Sequence, residues 1–234
     1  MTTVDAMQKP FILGHWQARP ENLSEIAVKL LKTLTLVESS VNSDRMEWAF
    51  DAGGEAEFRL RPFPTDADPS DIDLKSFFQK DDAKQVWTKG GLTLLLYGRA
   101  SDWPTGKMVS VTGTVGADTR LGNSLEIAFL PRDGDLMPSS SGLSYLVEEI
   151  GELWNATWFA VLTDEIIDAI EQPFGEPEVG IISYWADSIN RPLPASSDVT
   201  IRKTVKGMLA QVHDMSSKGA ITYALKVKQM YSNG

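Results

Sequence analysis

Apolar residues follow two periodicities along this chain, and the switches between them outline its elements. Over residues 21–37 the positions Leu23, Ile26, Ala27, Leu30, Leu31, Leu34 and Val37 recur at intervals of three and four, the spacing of one face of an α-helix. Asn22 or Ser24 offers a capping oxygen at its start, and Lys29 and Lys32 fall on the solvated side. A second helical stretch covers residues 140–154 on Leu143, Leu146, Val147, Ile150 and Trp154, with Glu148, Glu149 and Glu152 on its polar side. Shorter helices are predicted over residues 71–80 with Ile72, Phe77 and Phe78 partly buried, over 166–170 ahead of Pro173, and over 222–231, a basic segment.

Elsewhere the apolar residues alternate or form short runs, as strands require. Strands are predicted at 11–16, 46–50, 57–60, 92–97, 108–115, 121–130, 158–162, 179–185, 199–205 and 208–212. Turn chemistry separates them: Gly53-Gly54, Gly116-Ala117-Asp118, Leu121-Gly122-Asn123 and Gly207. Residues 61–70 hold Pro62, Pro64 and Pro69 with Asp66 and Asp68, so a loop is expected there. Helices and hairpins in this mixed order predict an α+β fold, a mixed and largely antiparallel sheet packed with helices. The proline-rich stretch is the best place to divide the chain, but neither side has its own compositional character. One domain over residues 1–234 is therefore expected.

Composition narrows the chemistry. The 234 residues are 42% hydrophobic, enough for a substantial core, and contain no cysteine. Disulfides, thiol catalysis and cysteine-held metals are thereby excluded. The two histidines, His15 and His213, are far apart in sequence and make no zinc-binding spacing. A basic cluster followed by an apolar run is absent from the amino terminus, and no segment approaches eighteen consecutive apolar residues. A cytoplasmic chain with no membrane attachment is expected. The net charge of -10 argues against direct binding of nucleic acid, which depends on neutralising Lys and Arg. That charge is segregated: residues 81–190 carry 17 acids and 6 bases, whereas residues 191–234 carry 2 acids and 7 bases. Either the acidic centre faces a basic partner, or it pairs with the basic segment inside the fold.

Catalytic and cofactor motifs are missing. There is no G-x-G-x-x-G loop, Walker A sequence or G-x-S-x-G elbow, and Gly113-Thr114-Val115-Gly116 reads as a turn. Ser139, Ser140 and Ser141 suit helix entry. Asp66, Asp68, Asp71 and Asp73 offer oxygen ligands, but without the central glycine and closing glutamate of a calcium loop. No catalytic, cofactor-binding or metal-binding residue is assigned. Arg19 and Glu21 suit a local ion pair or a partner contact. The seven tryptophans serve either as core wedges or as interface anchors, and Trp103, between Asp102 and Pro104, best fits exposure.

The run GHWQARPENLSEIAVKLLKTL says more than its separate residues. With Gly14, Trp16, Arg19 and Glu21 it resembles the opening G-x-W-x-x-R-x-E signature of the immunity protein 52 family, followed by that family's long amphipathic helix. Trp87-Thr88-Lys89-Gly90-Gly91 and the acidic-to-basic progression are compatible with the resemblance. The section around Tyr184-Trp185 is similar to the family's aromatic, proline-containing strand connection, with a different aromatic order. The family protects bacteria from partner toxins of polymorphic or contact-dependent systems, commonly by binding them, and some of those toxins have restriction-endonuclease-like domains. The resemblance implies a non-enzymatic immunity protein for a cognate bacterial toxin, one that is nuclease-like and is delivered by a contact-dependent or type VI system; the acidic centre suits a basic toxin. In that reading Trp103, Glu148, Glu149 and Glu152 are candidate partner contacts, and the signature residues Gly14, Trp16, Arg19 and Glu21 are structural. The alternatives are a non-catalytic adaptor for another protein and, more remotely, a metal- or carboxylate-dependent hydrolase.

Overall fold

A computed structural model describes residues 10–41, 46–51, 60–74, 91–100, 107–117, 122–130, 137–171 and 176–232. Ten strands form one sheet: β1 (Phe11–Trp16), β2 (Met46–Asp51), β3 (Leu60–Pro62), β4 (Leu92–Ala100), β5 (Met108–Val115), β6 (Asn123–Leu130), β7 (Trp158–Leu162), β8 (Ile182–Ala186), β9 (Val199–Lys203) and β10 (Gly207–Val212). Their order across the sheet is β3-β2-β4-β5-β6-β1-β7-β8-β10-β9, and every pairing is antiparallel. Among the described residues, four α-helices pack with the sheet in an α+β fold: α1 (Leu23–Ser40), α2 (Ser140–Leu153), α3 (Asp164–Ile170) and α4 (Ser217–Ser232).

Helices α1 and α2 pack on each other over one face of the sheet. Register puts Ile12, Leu125, Phe159, Tyr184 and Leu209 on that face, and all five are buried. Helix α1 contributes Ile26, Leu30, Leu34 and Val37, and α2 contributes Leu143, Val147 and Ile150, the positions their three-and-four spacing marked. Asn22 caps α1 by accepting from the Glu25 N–H at 2.8 Å, and Ser139 caps α2 by accepting from the Gly142 N–H at 3.2 Å. Helices α3 and α4 pack together on the opposite face, where Gly219 lies against Val212 of β10.

Several bounds differ from the sequence expectation. Arg61 and Pro62 belong to β3, where Pro62 closes a short strand at the sheet's edge, a position that requires no donor from it. A short 3₁₀ turn over Pro69–Asp71 stands at the start of the helix expected over residues 71–80; residues 75–80 of that expectation lie outside the described residues. Strand β8 begins at Ile182 because the Gly180 N–H turns to the Ser183 hydroxyl at 2.9 Å. Strand β9 ends at Lys203, where Thr204 and Gly207 close a hairpin on each other. Helix α4 starts at Ser217, earlier than its apolar period indicates, after a turn in which Asp214 accepts from Ser216. Strand residues 57–59, Gly53-Gly54, Trp87 through Gly90 and Trp103 lie outside the described residues.

Candidate functional site

The four signature residues meet at one packing node. Gly14 of β1 lies opposite Phe159 of β7, and a β-carbon on it would fall 2.2 Å from the phenyl ring. That absence of a side chain lets Phe159 lie across β1 and stack on Trp16, with centroids 6.5 Å apart. Trp16 also meets Trp154 at 5.3 Å. Trp154 donates its indole N–H to the Thr33 hydroxyl of α1 at 2.9 Å, so one side chain ties β1, α1 and the end of α2 together.

Arg19 completes the node. Its Nε donates to Glu21 at 2.7 Å, and its two terminal nitrogens donate to the carbonyls of Trp154 and Asn155. Those carbonyls close α2, where the helix leaves acceptors without intrahelical partners and its dipole favours a cation. Glu21, with a side chain only 4% exposed, also pairs with Lys29 at 3.0 Å, and the Lys29 ammonium lies 5.4 Å from the Trp154 ring centroid. The local ion pair that the sequence allowed for Arg19 and Glu21 is formed, and Arg19, its side chain 33% exposed, also lines a cleft.

The acidic residues of α2 occupy a different surface. Glu148 forms a two-pronged pair with Arg202 of β9, and Glu152 accepts from the Lys206 N–H at 3.1 Å. Lys206 Nζ reaches the Glu152 carbonyl at 3.1 Å and the Asn155 side chain at 2.6 Å. Two of the three glutamates are thus held by the basic C-terminal segment, and Glu149 is exposed. The same exchange recurs between Lys203 and Asp187 and between Arg191 and Glu176, and the Lys228 ammonium meets the Ile170 carbonyl that ends α3, while Lys226 pairs with Asp198 within the C-terminal segment. Part of the segregated charge is therefore paired within the chain.

Two exposed apolar side chains join this surface. Tyr145 is 49% exposed and stands three, four and seven positions before Glu148, Glu149 and Glu152, on the α2 side that overlooks β9. Val205, at the tip of the β9–β10 hairpin, is 83% exposed. Tyr145 and Glu149 thus share an exposed ledge of α2 with Glu148 and Glu152, bordered by the bonds to Arg202 and Lys206, and Val205 stands next to Lys206 at the Glu152 end. Sequence reading missed Tyr145 although its helical spacing to the glutamates was legible. It missed Arg202, Lys206 and Val205 because nothing local links them to α2. The described tryptophans, Trp16, Trp48, Trp154, Trp158 and Trp185, are all buried.

Beside the node lies a polar cleft of about 440 Å³, with Gln17, Arg19, Asn155, Glu176, Ser188 and Arg191 among its lining. Glu178 follows this wall, and its carbonyl accepts from the Trp185 indole at 3.0 Å. Burial pushes the Glu178 carboxyl up from its ordinary 4.5 to about 7. The folded chain therefore holds a proton that the unfolded chain has already released, so stability falls as pH rises from about 4.5 to about 7 and is level above that window. Glu178→Gln is expected to gain stability over the wild type across that window, by roughly 1–2 kcal/mol once partial exposure is allowed for. Urea midpoints at pH 5 and pH 8 check this; an equal gain at both would show that ionisation is not the cause.

The remaining polar groups serve local structure. Asp68 accepts from the Ser70 hydroxyl at 2.6 Å and its N–H at 2.9 Å, bonds that hold its carboxyl below the ordinary value. His15 stacks on Trp158, and His213 shares a 2.8 Å bond with Thr200. Among the described residues, no group of three or more His, Asp or Glu is arranged to hold a metal ion, and no helix is long and apolar enough to cross a membrane.

No protein-family model matches the sequence, and no curated protein matches it. Among solved structures, the Pseudomonas aeruginosa T6SS protein PA0821 is similar at a TM-score of 0.49 and 11% identity, over 93% of this chain and 72% of that one.

Proposed function

We propose that this chain is a non-enzymatic immunity protein of the cytoplasm, which binds and neutralises a cognate bacterial toxin delivered by a contact-dependent or type VI system. The Gly14, Trp16, Arg19 and Glu21 run supports the reading through its resemblance to immunity protein 52. The observation that carries it is the α2 ledge. Protein interfaces draw most of their energy from a few aromatic anchors that a polar rim shields from water. Tyr145 fits the anchor, and the Glu148–Arg202 ion pair and the bond from the Lys206 N–H to the Glu152 carboxylate fit the rim. Glu149 supplies an acid for a basic, nuclease-like toxin, whose encounter the chain's net charge of -10 would accelerate. Binding covers the toxin's active site or holds an inactive conformation, and the chain itself contacts no nucleic acid.

The test is coexpression with the toxin candidate encoded beside it, scored by growth and by copurification of an inactive toxin variant. Tyr145→Ala is expected to weaken binding about 30-fold, corresponding to about 2 kcal/mol, with an unchanged urea midpoint. Failure both to rescue growth and to bind overturns the proposal for that pair. Binding without rescue would favour the adaptor reading instead.

A further inference from the structure

Among the described residues, β9 is an edge strand paired on one side only, and its register is defined. The His213 N–H donates to the Asp198 carbonyl and the Thr204 N–H to the Gly207 carbonyl, each at 2.9 Å. In an antiparallel ladder the inward-bonded residues alternate, so Thr200 and Arg202 also bond towards β10. The backbone groups of Val199, Ile201 and Lys203 consequently point away from the sheet. The Val199 N–H turns back to the Ser196 carbonyl at 3.3 Å, which leaves the groups of Ile201 and Lys203 directed outward. Thr200, Arg202 and Lys203 are exposed.

Edges of this kind are usually guarded by free cations that repel an approaching strand. Here the cations are drawn aside. Arg202 is held by Glu148 on one face of the sheet, and Lys203 lies 2.7 Å from Asp187 Oδ2. A second strand can therefore approach without meeting an unbalanced charge.

We propose that β9 pairs with β9 of a second copy of this chain, antiparallel, around a two-fold axis at Ile201. This inference stands independently of the toxin-binding reading. Register selects the axis. Centred on Ile201, Thr200 lies opposite Arg202 of the second copy and Val199 lies opposite Lys203 of the second copy, so no like charges face each other. Centred on Lys203, two ammonium groups would be directly opposed, which destabilises a strand pair. Centred on Val199, the required N–H is already committed to Ser196. The Ile201 axis yields about four new backbone bonds and an isologous interface, the commonest form of dimer. Both α2 helices then lie on the same face of the joined sheet, each with its outer side free.

Sedimentation equilibrium on the full chain tests the proposal. Wild type is expected to show a concentration-dependent dimer. Ile201→Pro removes an outward N–H while the bonds to β10 are kept, and is expected to weaken association by roughly tenfold or more. Because proline also restricts the strand's own backbone, Thr200→Arg provides a second variant: it leaves the backbone intact and sets two like charges opposite each other, with a comparable loss expected. A chain that stays monomeric throughout the concentration range overturns the proposal, as does a dimer that both variants leave intact. A monomer whose toxin binding is lost in Ile201→Pro also overturns it, and would place a strand of the toxin on this edge instead.

Discussion

Trp154→Ala is expected to lower the stability of the folded chain by about 3–5 kcal/mol, the range for emptying a tryptophan site in a core. Trp154 is fully buried, lies against Trp16 and gives the one polar hydrogen of its side chain to Thr33. Alanine leaves a cavity between α1, α2 and β1, and leaves the Thr33 hydroxyl, itself fully buried, without that donor. A urea titration with an unchanged slope and a lower midpoint checks it. Trp154→Phe separates the contributions: most of the ring is retained while the hydrogen bond is lost, so about 1 kcal/mol of the effect should remain. A loss below about 1 kcal/mol for the alanine variant would show that the node does not hold the layers together.

The second large effect is expected from the smallest change. Gly14→Ala adds one carbon where 2.2 Å separates it from the Phe159 ring, and overpacking a closed site costs roughly 1–3 kcal/mol or more. Trimming the ring should recover part of that loss, so Gly14→Ala with Phe159→Leu is expected to be more stable than the sum of the single effects allows. Additive losses in the double variant would mean that the glycine is required for some reason other than the ring.

Helices α1 and α2 were legible because a single face of each carries the core, and the three-and-four period survives any choice of neighbour. Most strands were legible for the same reason at period two. What the sequence concealed was decided by distant groups. Nothing near Arg19 announces that its guanidinium closes a helix more than a hundred positions later, and nothing near Glu148 announces Arg202. The Arg19–Glu21 pair, two positions apart, was readable, whereas its purpose was not. The charge segregation pointed correctly to the parts that attract each other, but composition cannot distinguish an acid facing a partner from one already paired. Tyr145 was hidden differently: an aromatic among apolar helix residues reads as core unless its angular position is set against Leu146, Val147 and Ile150, which fill the buried side.

The place of β1 in the sheet has a kinetic consequence. Strands β6 and β7 do not pair with each other; each pairs with β1. Without that strand the sheet separates into two blocks, β3-β2-β4-β5-β6 and β7-β8-β10-β9, whose strands are paired with near neighbours in sequence. Each block can zip up as it is synthesised, while the apolar run from Phe11 to Trp16 waits for its first partner for roughly 5–20 s at ordinary translation rates. Docking of β1 is then the event that joins two locally paired blocks into one sheet, and until it happens an apolar strand without a partner is open to capture by a chaperone.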